Sequence, residues 1–123
     1  GPSPTLTFLT MLPVTVESLF AVAKEPLKLP ENELLTLLWD QVERDINSAG
    51  FSVPKPPSIA LADQADQLLH FLEELPSHAM PGLLYRIDLP ENALFSSMEG
   101  FQPLVWSILE REAMKVVLRL RYS

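Results

Sequence analysis

The stretch from Gln102 to Tyr122, QPLVWSILEREAMKVVLRLRY, most constrains what this chain can fold into. Pro103 suits the first turn of a helix, where no backbone N–H is needed. At about 100° per residue, Val105, Trp106, Leu109, Ala113, Val116, Val117 and Leu120 fall on one continuous face. Arg111, Lys115 and Arg119 follow one another at i, i+4, i+8 along its flank. The spacing predicts a long helix with a wide apolar side and a basic edge. Such a helix stands only where other elements cover the apolar side.

The rest of the chain offers those elements. Leu34, Leu35, Leu38, Trp39, Val42 and Ile46 share one face of a helix predicted from Pro30 or Asn32 to Ala49, with Asp40, Glu43, Arg44 and Asn47 opposite. Gly50 follows as a natural left-handed stop. A further helix is predicted from Ile59 to Leu75, with Leu61, Ala65, Leu68, Leu69, Leu72 and Leu75 inward and Pro76 at its end. Thr15 reads as an N-cap for a short helix through Val16, Leu19, Phe20 and Ala23, stopped by Pro26. Phe51–Ser58 carries three prolines and reads as a stiff extended connector.

Three segments are less regular. Thr5–Leu12 alternates weakly and reads as a strand or extended arm. Ser77–Gly82 reads as a loop. In Leu83–Leu89, Tyr85, Ile87 and Leu89 alternate against Arg86 and Asp88, which favours an extended segment whose partners would be residues 5–12 or 116–122. Asp88 with Glu91 fits a capping pattern that opens a short helix through Met98, closed by Gly100. The tetrapeptide LPEN occurs at 29–32 and 89–92 and reads as shared helix-start chemistry.

A chain of 123 residues is about one domain. Gly1-Pro2-Ser3 reads as the remnant of a cleaved purification tag, leaving 4–123 as a single globular unit. The hydrophobic fraction of 47% argues against wholesale disorder. Cysteine is absent, which excludes disulfides, thiolate ligands and Cys nucleophiles. No apolar run spans a bilayer and no signal peptide opens the chain, so a cytoplasmic location is expected.

Charge is unevenly spread. Residues 111–123 hold four cations against Glu112, a net +3; taken from the chain's −7, that leaves −10 on residues 1–110. The basic edge is therefore either matched by the acidic body or open to a partner. The acidic balance disfavours nucleic acid and anionic membrane surfaces.

The sequence carries no recognisable catalytic pattern. His70 falls on a polar helix face and His78 in a Pro-bounded loop, with no zincin spacing between them. The serines sit in no nucleophile-elbow context, and the glycines are too isolated to cradle phosphate. Paired carboxylates such as Glu73/Glu74 and Glu110/Glu112 are neighbours only in sequence.

The expected fold is mainly α: a small bundle of four to five helices around the Trp39 and Trp106 faces, with 5–12 and 83–89 as short extended segments. The alternative is α+β with a small two- or three-stranded sheet. The expected function is a non-enzymatic protein–protein interaction, adaptor or regulatory domain, without cofactor or metal, binding another protein or itself through Arg111, Lys115 and Arg119. Leu37, Phe71 and Leu118, off the main helix faces, are what a partner would cover. The alternative is a small-molecule or lipid pocket between helices, lined by Met11, Met80, Met98, Met114 and the phenylalanines.

Overall fold

The segment opened by Gln102-Pro103 is one unbroken helix in the computed structural model, which describes residues 15–21, 28–89 and 100–122. Among the described residues five α-helices run in order: α1 Val16–Leu19, α2 Glu31–Ser48, α3 Leu61–Glu74, α4 Met80–Ile87 and α5 Gln102–Tyr122. A single 3-10 turn, Ser77–Ala79, leads into α4. No strand occurs among the described residues, so the mainly α reading holds and the α+β alternative falls. Helix α5 packs against all four of the others, and α2 also packs against α4.

Local chemistry explains where the helices begin and end. Thr15 caps α1 through a reciprocal pair: its Oγ1 accepts from Ser18 N at 3.1 Å, and Ser18 Oγ accepts from Thr15 N at 2.9 Å. Helix α1 ends at Leu19 and turns at Phe20 and Ala21; the predicted continuation to Ala23 lies outside the described residues. Helix α2 closes on Gly50 at φ +94°. There Gly50 N donates to Asn47 O at 3.0 Å and Phe51 N to Ile46 O at 3.1 Å, the two bonds that satisfy carbonyls at a helix end with a left-handed stop. The proline connector forms neither helix nor strand, buries Val53, and sets Phe51 edge-on to Phe71 of α3 at 6.4 Å.

The extended reading of Leu83–Leu89 is overturned: residues up to Ile87 belong to α4. Leu83, Leu84 and Ile87 are buried while Tyr85 is 82% exposed, a helical period rather than the alternation of a strand. The apparent alternation counted Tyr85 as apolar and inward. Helix α4 begins at Met80, inside the expected loop, with Pro81 in its first turn. Asp88 ends α4 at φ +73°, with Asp88 N donating to Tyr85 O at 3.1 Å and Leu89 N to Leu84 O at 2.9 Å. It is thus the stop of one helix, in the left-handed region that Asp tolerates. The helix expected after it, and the arm at 5–12, lie outside the described residues. Residues 116–122, the other candidate strand, are the last turns of α5.

All six predicted inward residues of α2 are buried. In α3, Leu68 and Leu72 are buried, while Leu61, Ala65, Leu69 and Leu75 pack half-buried against the core. The inward side of α5 is rotated from the predicted one. Leu104, Ile108 and Glu112 are buried beside Val105, Leu109, Ala113, Val116 and Val117. Trp106 is half-buried and Leu120 is 39% exposed. Neighbours on several sides widen the buried arc until it encloses an acid.

Candidate interaction surface and the polar seam beneath it

Helices α2 and α5 meet through a polar seam set into an apolar interface. Lys115 Nζ of α5 lies 2.5 Å from Asp45 Oδ2 of α2, and Gln41 Nε2 donates to Asp45 Oδ1 at 3.3 Å. One turn further along α5, Arg119 Nη1 donates to Gln41 Oε1 at 3.1 Å. A step of four residues forward on α2 thus matches four backward on α5, so the helices are antiparallel. Lys115 Nζ also reaches the Arg86 carbonyl of α4 at 3.5 Å. Arg111 pairs with Asp88 at the end of α4 and sets Nη1 3.2 Å from Met114 Sδ.

Glu112 lies at the centre of this seam with 0% of its surface exposed. Lys115 Nζ stands 3.4 Å from Glu112 Oε1, close enough for attraction. Neither carboxyl oxygen makes a hydrogen bond among the described residues. Burial, and then the Asp45 carboxylate beside it, push its pKa up to about 9 against the weaker pull of Lys115. This favours the neutral acid form of Glu112 at neutral pH, beside the Asp45–Lys115 ion pair.

The three residues of the predicted basic edge are thus brought together along one side of α5, and each has a partner within the chain. Lys115 and Arg111 face carboxylates; among the described residues Arg119 faces only a neutral amide. Sequence reasoning did not find Gln41, Asp45 and Glu112, nor Gln64, which is wholly buried and donates from Nε2 to Leu35 O at 2.9 Å and Ile59 O at 2.8 Å. A polar residue flanked at i±4 by apolar ones was the signal available: Gln64 lies between Ala60 and Leu68, and Glu112 between Ile108 and Val116.

Burial along α5 stops at Val117. Every residue from Leu118 to Tyr122 is exposed, among them Leu118 at 48%, Tyr122 at 79% and the half-covered Leu120. Met114, Leu118 and Tyr122 follow at i, i+4, i+8 along the outward ridge. Arg121 stands beside that ridge with no carboxylate in ion-pair distance among the described residues. Leu37 and Phe71 are half-buried and packed against the core, so of the three off-face residues Leu118 alone is open.

The remaining candidates are dispersed. Met80 is buried in the core and Met114 is half-buried under Arg111; Met11 and Met98 lie outside the described residues. His70 is exposed, and its pKa is raised by its bond to the Asp66 carbonyl and by the Asp66 carboxylate. Buried Trp39 finds no acceptor for Nε1 among the described residues. Among those residues no three His, Asp or Glu side chains gather as a metal-binding group, and no helix is long and apolar enough to cross a membrane. Comparison with known protein families, curated proteins and solved structures finds no match.

Proposed function

We propose that this chain is a non-enzymatic, cytoplasmic protein–protein interaction domain, adaptor or regulatory in role, that docks its partner on the C-terminal turns of α5. One observation carries the reading: helix α5 continues past the end of its buried face, and the exposed turns hold Leu118, Leu120 and Tyr122 between Arg119 and Arg121. A tyrosine flanked by guanidinium groups combines the side-chain types that anchor interfaces, and the leucine one turn away adds apolar surface beside it. The docking edge thereby moves from the row Arg111, Lys115 and Arg119 toward the helix end. Lys115 belongs to the seam with Asp45, whereas Arg119 stays within the surface.

The test compares Leu118→Asp with Tyr122→Asp against Asp66→Lys with Glu74→Lys on the exposed side of α3. Each double variant is used to capture partners from an extract of the source cells, beside its thermal melt. The reading requires capture to be lost only in the α5 variant while both melts stay near wild type. Capture that survives the α5 changes removes α5 as the docking surface.

A further inference from the structure

The cations of the last turns of α5 are not compensated equally. Lys115 is held by Asp45 and Arg111 by Asp88. Arg119 reaches only the Gln41 amide oxygen, and Arg121 reaches no carboxylate among the described residues. Among the described residues, the exposed end therefore presents two guanidinium groups without a carboxylate partner beside the Leu118–Tyr122 ridge. The favourable interaction of cations with a helix C-terminus helps hold this end helical.

We propose that this surface receives an acidic amphipathic helix of another protein, its carboxylates on Arg119 and Arg121 and its apolar side chains against Leu118 and Tyr122. The proposal rests on the docking reading above and names the chemistry of the partner. Charge complementarity selects the acid: a basic partner would meet two like charges. Side chains at i, i+4 form a ridge that fits the groove of a second helix, whereas strand addition needs a sheet edge and the described residues have none. A second copy is the weaker occupant. The chain's own acidic helix face, exposed at Asp66, His70, Glu73 and Glu74 of α3, offers no large apolar side chain to meet Leu118 and Tyr122.

The probe is a labelled synthetic amphipathic peptide of about 18 residues, long enough to hold a helix, with leucines on one face and glutamates flanking them. Its twin carries lysines in place of the glutamates. Fluorescence anisotropy with the full chain is expected to show the acidic peptide binding at least about tenfold tighter than the basic twin. That advantage should shrink as salt rises. Arg119→Glu with Arg121→Glu should reverse the preference while leaving the melt near wild type. Equal affinity for the twins, or no binding of the acidic peptide at millimolar concentration, overturns the proposal. So does light scattering that finds a dimer abolished by Leu118→Asp with Tyr122→Asp, which assigns the surface to a second copy. If the peptide fails while extract capture still requires Leu118 and Tyr122, the acidic partner falls and the docking surface stands. If capture does not require them, both fall.

Discussion

Replacing Glu112 by Gln isolates the fully enclosed acid of the seam. In the folded chain its pKa is raised from 4.5 to about 9. Between those values the folded state holds a proton that the unfolded chain releases, so this group's contribution to stability falls as pH rises. The slope approaches about 1.4 kcal/mol per pH unit, so moving from about pH 5 to about pH 8 removes about 4 kcal/mol at most. Against a total of roughly 6–18 kcal/mol for a domain of this size, that loss is large. The Gln amide has the shape of the neutral acid and does not ionise. Among the described residues neither Glu112 oxygen has a hydrogen-bond partner, so the amide goes as unsatisfied as the neutral acid it replaces, and any difference between the two is a constant offset without a slope. His70, raised by Asp66, adds stability that is likewise lost as pH rises through its pKa, but it does so in both proteins and cancels in their difference. Urea unfolding of both chains across this window, with m held common, should show the variant gaining on wild type steadily with pH. Parallel curves would show that Glu112 does not carry a raised pKa in the fold, and the description of the seam would be wrong.

Other substitutions separate the roles of neighbouring residues. Lys115→Glu removes the partner of Asp45 and sets a second carboxylate against it beside the neutral Glu112, and should cost about 3–5 kcal/mol; Arg121→Glu, on the open end, should stay within about 0.5 kcal/mol, and paired thermal melts read the contrast. Leu38→Asp and Leu109→Asp, each burying a carboxylate at a fully enclosed position, should abolish the folded circular dichroism signal or lower the melt by many degrees. Gly50→Ala meets nothing within 4 Å, so its whole cost is the positive φ, about 1–2 kcal/mol by urea unfolding.

What the sequence made legible was the regular part. Helix α2, with six inward apolar residues and Gly50 after it, was readable because period, cap and burial agree. The length of α5 was readable for the same reason. Its rotation was not: the apolar positions alone centred the face without Leu104 and Ile108, and Glu112 counted as a surface charge offsetting the basic tail. A polar residue enters a core when a neighbouring helix supplies Asp45 and Lys115 around it, and that is tertiary information. Helix α4 was lost for a related reason. In seven residues a period of two and a period of 3.6 place many of the same positions inward, and Tyr85 tipped the count toward the strand. The basic edge was legible as a row, but which of its cations are spent inside the fold depends on Asp45 and Asp88, which are remote in sequence.

Hydrogen exchange along α5 tests the central claim most directly, because it reads the end of burial and the docking surface together. In the free chain, amides from Leu109 to Val117 should exchange only on global unfolding, and those from Arg119 to Tyr122 should exchange far faster. With the acidic peptide bound, protection should rise at Leu118–Tyr122 and stay unchanged along α3. Uniform protection through Tyr122 in the free chain, or protection that the peptide induces elsewhere while Leu118–Tyr122 stays open, would contradict the account.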